Sequence, residues 1–227
     1  MLAMTITLNV QADVVDINSD TPQPSDIFLV DTNIWLWQTY SRYSVPNLAQ
    51  SALSLSSSQD LRRLQRKIAK YLTYIKKASI TGAILVYSEL MLSELAHVIE
   101  TTEFKIYQSR NNLAQLTLKE YRNNFPTERS DVVDEVQSVW RQVEQFAVPA
   151  NLMVNNQVAQ SALTRFETQS LDGYDLFIIE AINRAGAGQV RIITDDQDYV
   201  TVNNIQVFTA NGNAISNARR LNKLLVR

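Results

Sequence analysis

Four carboxylates stand where a parallel α/β sheet would bring them together: Asp31, Glu94, Asp175 and Asp196. Asp31 follows the apolar run Ile27-Phe28-Leu29-Val30, and Asp196 follows a second run, Val190 to Thr194, by way of Asp195. Ligands of open α/β sheets gather outside the carboxyl ends of the strands, so both side chains are aimed at one crevice. Glu94 comes a few residues into a helix that follows the apolar run Gly82 to Tyr87, and Asp175 lies near the start of another helix, where the helix dipole favours negative charge. Carboxylates held together repel one another, and a divalent cation is the physical reason to assemble them. An oxygen-only ligand set suits Mg²⁺ or Mn²⁺, whereas zinc usually takes nitrogen or sulfur. Such an ion would polarise a phosphoryl oxygen and ease loss of a proton from water, which is what phosphodiester hydrolysis without a covalent intermediate requires.

Composition narrows the alternatives. The chain has 227 residues, 45% of them hydrophobic and 19% charged, which predicts one decorated globular domain. With no cysteine, there is no disulfide framework, thiolate zinc site or cysteine nucleophile, and the single histidine, His97, excludes a site built on several imidazoles. No apolar run approaches the roughly 20 residues of a membrane span and no basic-then-apolar leader opens the chain, so a soluble, cytoplasmic protein is expected. A net charge of −2 does not describe a protein that coats nucleic acid.

The elements that must position the carboxylates read as an alternation of β and α. Met4 to Val10 alternates like a strand, Asp16 to Asp26 reads as a linker, and residues 1–25 are expected to be an extension ahead of a domain at 26–227. Apolar residues at three- and four-residue steps predict helices over Gln59 to Lys77, Leu90 to Ile99, Leu116 to Asn123, Ser130 to Phe146 and Asp175 to Ala185. Gly186-Ala187-Gly188 is expected to end the last of these. Further strands are expected at Ala150 to Val154 and Ile205 to Thr209, and a terminal helix from Ala214 to Leu225. The pattern predicts a three-layer α/β/α fold with a mostly parallel sheet and inserted helices at about 101–150.

Four segments resemble the PIN-domain family. Val30-Asp31-Thr32-Asn33 looks like that family's opening strand end, and Leu92-Ser93-Glu94-Leu95 like its second acidic position. Asp172-Gly173-Tyr174-Asp175-Leu176 is similar to the third segment, with Asp175 the better match and Asp172 its competitor. Ile193-Thr194-Asp195-Asp196-Gln197-Asp198-Tyr199 is similar to the closing one, where the threonine two residues earlier and the aromatic three residues later single out Asp196. The resemblance covers Ile27 to Tyr40, Gly82 to Glu100 and Leu171 to Phe208, and implies a metal-dependent endoribonuclease that uses Mg²⁺ or Mn²⁺. It also implies an RNA substrate, self-association into a homodimer and, for the toxin members of toxin-antitoxin pairs, an antitoxin or other protein partner.

Around that set, Asn33, Thr194, Asp172 and Asp198 are candidates to orient carboxylates or water. Each also suits plain turn bonding or helix capping. His97 shares a helix face with Glu94 and could orient the site or be structural. Arg62, Arg63, Arg66, Lys67 and Lys70 make a basic helix face suited to phosphates or simply to solvent, as do Arg219, Arg220, Lys223 and Arg227 at the end of the chain. Trp35 and Trp37 identify no stacking platform. The chief rival reading is a non-catalytic binding or assembly protein that keeps the fold. An aspartyl phosphatase fits poorly, because Asn33 stands where such enzymes usually carry a second Asp. A dinucleotide enzyme fits worse, since no glycine-rich loop follows the first strand.

Overall fold

A computed structural model describes residues 9–43, 57–150, 152–169, 171–184 and 189–227. Its strands are β1 (Asp13–Asp16), β2 (Ile27–Val30), β3 (Ile84–Tyr87), β4 (Val148–Pro149), β5 (Val190–Ile193), β6 (Ile205–Thr209) and β7 (Leu224–Leu225). They form one sheet in the order β4-β3-β2-β5-β6-β1-β7, with every neighbouring pair parallel. Parallel strands need long crossovers, and here helices supply them in a three-layer α/β/α fold. The helices are α1 (Thr32–Thr39), α2 (Ser58–Thr81), α3 (Met91–Asn111), α4 (Leu118–Asn124), α5 (Pro126–Phe146), α6 (Asn156–Phe166), α7 (Gly173–Arg184) and α8 (Gly212–Arg220). Among the described residues no helix is long and apolar enough to cross a membrane.

The central strands are apolar because both of their faces are covered. Phe28, Leu29 and Val30 of β2, Ile192 and Ile193 of β5, and Val207 and Phe208 of β6 belong to one hydrophobic core. α2 presents Leu61, Ile68, Tyr71, Ile75 and Ala78 as a buried stripe. The Ser57 side chain caps its start by accepting from the Asp60 amide, and Gly82 ends it at φ +84°, a left-handed conformation that costs glycine little.

The structure differs from the sequence reading in the short strands and in several helix boundaries. Residues 13–16, expected in an extension, are β1 and lie inside the sheet between β6 and β7, with Val14 opposite both Val207 and Leu224. Only two apolar residues, Val14 and Val15, mark this strand, too few to show a period. Of the strand-like stretch Met4 to Val10, residues 4–8 lie outside the described residues, as do Gly186-Ala187-Gly188, and Asn9 and Val10 are not in a strand. The terminal helix stops at Arg220. Asn222 turns the chain with φ +55°, and Leu224 and Leu225 join β1 as β7. The strand expected at Ala150 to Val154 is instead Val148–Pro149, paired with β3. Thr117 forms a capping box with Glu120, which sets the start of α4 at Leu118, and Pro126 opens α5 four residues before the expected Ser130. α6 was not foreseen. The stretch at about 101–150 is no appended lobe: α5 buries Val139 and Val143 in the common core, and β4 extends the sheet.

Candidate acidic site at the strand ends

The chain leaves β2 towards β3 on one side and leaves β5 towards β6 on the other. The carboxyl ends of β2 and β5, neighbours with Val30 opposite Ile193, therefore flank a topological switch point. The Asp31 amide prolongs the ladder by donating to the Ile193 carbonyl at 3.1 Å. Asp31 also caps α1. One carboxylate oxygen accepts from the Thr32 amide at 2.7 Å, and the other accepts from the Thr194 hydroxyl at 2.6 Å. Thr194, fully buried, accepts in turn from the Asp196 amide at 2.9 Å, so one hydroxyl fixes both Asp31 and the turn that carries Asp196.

The other two carboxylates are tied to this pair by side chains from elsewhere in the chain. The Thr32 hydroxyl donates to Glu94 at 2.6 Å, joining the first turn of α1 to the first turn of α3. The Tyr199 hydroxyl donates to Asp175 in the first turn of α7. Asp172 accepts from the amides of Tyr174 and Asp175 at 3.0 and 3.1 Å, which makes it the cap of that helix and leaves Asp175 facing the cluster. Asp198 donates its amide to the Asp196 carboxylate at 2.8 Å. Asp195 turns away: Lys67 holds it at 2.6 Å and the Tyr71 hydroxyl at 2.9 Å.

Electrostatically the cluster is under tension. Burial, followed by the charges of Glu94 and Asp196, pushes Asp31 up to about 7 against the opposing hydrogen bonds from Thr194 and Thr32. Burial and the charges of Asp31, Asp172 and Glu94 push Asp175 up to about 8, with the Tyr199 bond opposing. Glu94 and Asp198 are raised for the same two kinds of reason, burial first and carboxylate neighbours next. None of the leading influences on these four groups is a cation.

Whether a divalent cation fits can be judged from these donors. In favour, every donor is oxygen, and among the described residues two buried carboxylates, Asp31 and Asp175, have no ion-pair partner and Asn33 near the head of α1 keeps a buried Oδ1 with no hydrogen-bond partner. Against a fully dehydrated ion, no group of three or more Asp, Glu or His side chains among the described residues stands ready to clasp one centre. A partly hydrated Mg²⁺ would be compatible with both observations, because it usually keeps several waters and needs only one or two direct carboxylates.

Several residues take other places than the sequence suggested. Asn33 makes no orienting bond to a carboxylate among the described residues. Lys67, on a helix face suited to phosphates or simply to solvent, pairs with Asp195, while Arg62, Arg63, Arg66 and Lys70 lie on the exposed face of α2. Arg227 is bound into a buried network with Asp20 and Asp26, and Lys223 lies 3.8 Å from Asp13. His97 is exposed and lines a cleft between α3 and α5 rather than bonding the acidic cluster. In keeping with the sequence, which identifies no stacking platform, Trp35 is buried and Trp37 packs on Tyr71. Sequence reasoning missed Thr32 and Tyr199 as holders of Glu94 and Asp175. Their only signal was position, immediately after Asp31 and three residues after Asp196.

The competition between Asp172 and Asp175 can be decided by experiment. Asp172→Ala is expected to lower the unfolding free energy by about 1 kcal/mol through loss of the cap, with Mn²⁺ affinity little changed. Asp175→Asn is expected to weaken Mn²⁺ binding instead. Chemical denaturation and calorimetry on both variants would read this, and the reverse outcome would make Asp172 the ligand.

Compared with known protein families and curated proteins, the chain matches no family model and no curated sequence.

Proposed function

We propose that this chain is a metal-dependent nuclease of the PIN type. The observation that carries the reading is the pair Asp31 and Asp175, buried beside a topological switch point, raised in pKa and without a counter-charge among their leading influences. An evolved fold seldom retains two mutually repelling buried carboxylates for stability, since such groups cost free energy unless a cation or proton neutralises them. A bound Mg²⁺ or Mn²⁺ would supply charge stabilisation at the phosphate and a readily deprotonated water.

The protein's own part is orientation. Thr194 and the Thr32 amide fix the Asp31 carboxylate, the Thr32 hydroxyl fixes Glu94, and Tyr199 fixes Asp175. Asp196, half-buried and anchored through its amide, offers the remaining carboxylate on the solvent side of the cluster. RNA as substrate, and a toxin role with an antitoxin partner, follow from the PIN resemblance alone. The rival reading, a binding or assembly protein on the same fold, draws on one observation, the lack of a ready three-carboxylate cage among the described residues.

The deciding experiment is cleavage of single-stranded RNA, structured RNA and DNA with Mg²⁺, Mn²⁺ or EDTA, comparing wild type with Asp196→Asn. Cutting that needs the metal and is lost in the variant supports the nuclease. No cutting of any substrate, together with no Mn²⁺ binding by calorimetry, transfers the assignment to the binding protein.

A further inference from the structure

A second charged cavity lies one helix face away from the acidic site. Ser93, His97 and Glu100 form a stripe on α3 at four- and three-residue steps, beside the position of Glu94. With α4 and α5 they enclose a cavity of about 460 Å³, and Arg122, Arg129 and Gln137 complete its polar lining. Glu100 is the only carboxylate in that lining, and it is almost fully buried.

That one carboxylate holds two guanidinium groups. Arg122 grips it through Nε and a terminal nitrogen, and Arg129 through a single terminal nitrogen at 2.8 Å. The bidentate Arg122 contact already satisfies Glu100. Arg129 therefore brings a positive charge beyond what burial of Glu100 requires. A guanidinium has five N–H donors, and Arg129 commits one nitrogen to Glu100 while its side chain stays 42% exposed. The charged groups of the lining thus sum to one excess positive charge, with Arg129 donors left uncommitted among the described residues and His97 and Gln137 beside them.

An anion with several acceptor oxygens fits this arrangement, and a phosphodiester group matches the fork geometry of arginine. Glu94 and Glu100 are about 9 Å apart along the helix axis, so the cavity adjoins the acidic site on the same helix. We infer that the cavity between α3 and α5 seats a backbone phosphate of a single-stranded nucleic acid, with Arg129 as its main ligand and Glu100 and Arg122 as the support that fixes it. This deepens the nuclease reading and rests on it for the identity of the ligand.

The test is binding in EDTA, read by fluorescence anisotropy of a short labelled single-stranded RNA across a salt series. Arg129→Ala is expected to weaken binding about tenfold, and to reduce the slope of log affinity against log salt by about 0.7. Gln137→Glu leaves the Glu100 pairs intact, adds a negative charge to the cavity and should weaken binding as well. Lys105→Ala makes the same change of charge on an exposed part of α3 outside the cavity and is expected to act much less. Absence of RNA binding by the wild type would overturn the inference, as would Arg129→Ala binding like Lys105→Ala. Weakened binding in Arg129→Ala, with neither cleavage nor Mn²⁺ binding by the wild type, would uphold the phosphate seat and sink the nuclease. Unchanged binding alongside metal-dependent cleavage would do the reverse.

Discussion

Asp31→Asn is expected to lower metal-dependent cleavage by about 10³-fold or more, equivalent to roughly 4 kcal/mol of transition-state stabilisation. The same substitution should make the metal-free protein more stable. Asp31 is only 5% exposed, and its charge is opposed by burial and by Glu94 and Asp196. An amide removes that opposition. The cost is that one of the two hydrogen bonds from Thr32 and Thr194 loses its acceptor, about 1 kcal/mol. The charge effect is larger, so a net gain of about 1–3 kcal/mol is expected at pH 8 in EDTA.

The pH dependence fixes the sign. Asp31 holds its proton more tightly folded, up to about 7, than its ordinary value of 3.8. The folded state therefore binds more protons between those values, and stability is lost as pH rises through that window. Asp175 acts in the same direction up to about 8. The gain from Asp31→Asn should thus be small near pH 4 and grow towards pH 8. Mn²⁺ should stabilise the wild type at pH 8 and the variant far less. Denaturation curves with and without Mn²⁺ would check this. A variant that cleaves normally, or gains nothing on raising the pH, would remove Asp31 from the site.

What could be read from the sequence follows from how each element is buried. β2, β5 and β6 are covered on both faces, so they appear as apolar runs that no surface requirement interrupts. The strand-end positions of Asp31 and Asp196 were legible because each follows such a run, and the preference for Asp196 over Asp195 came from the PIN resemblance, in which a threonine stands two residues earlier. The structure gives that spacing a physical sense: Asp195 is drawn to Lys67 and Tyr71 of α2, and the Thr194 hydroxyl anchors the Asp196 amide.

Short strands towards the β7 side of the sheet left too little signal. β7 has two residues, and β1 places two valines between aspartates, so each is specified by its partner strand rather than by its own pattern. Contacts that bridge distant positions were equally hidden. The bonds from Thr32 to Glu94 and from Thr194 to Asp31 span 62 and 163 residues, and no local period records them. The fate of the basic side chains was hidden for the same reason. Lys67 and Arg227 differ from their exposed neighbours only in the acids that the fold brings beside them.

Arg227→Ala is expected to produce the largest loss of stability of any surface-charge substitution considered, about 3 kcal/mol, at the low end for a broken buried pair because this guanidinium is 20% exposed. Its nitrogens bridge two carboxylates, Asp20 at 3.1 Å and Asp26 at 2.9 Å, that are themselves almost completely buried. It also lies 4.7 Å over the Phe208 ring, so its removal exposes core as well as charge. Asp26 would retain Arg191 at 2.7 Å, but Asp20 would be left with the Tyr74 hydroxyl alone, among the described residues. For a chain of this size the loss corresponds to a fall in Tm of roughly 6–12 °C. Burial works to raise the Asp26 pKa, but the bonds and charges of Arg227, Gln23 and Arg191 bring it below the ordinary value of 3.8. This contribution is therefore complete above the unfolded value and is lost as pH falls through the lower folded one. The acidic site loses stability towards high pH and this network towards low pH, so the metal-free protein should be most stable between them. The penalty of Arg227→Ala should accordingly be full at neutral pH and shrink in strong acid. A penalty under about 1 kcal/mol, or one that does not shrink in acid, would mean that solvent rather than Arg227 balances the two carboxylates.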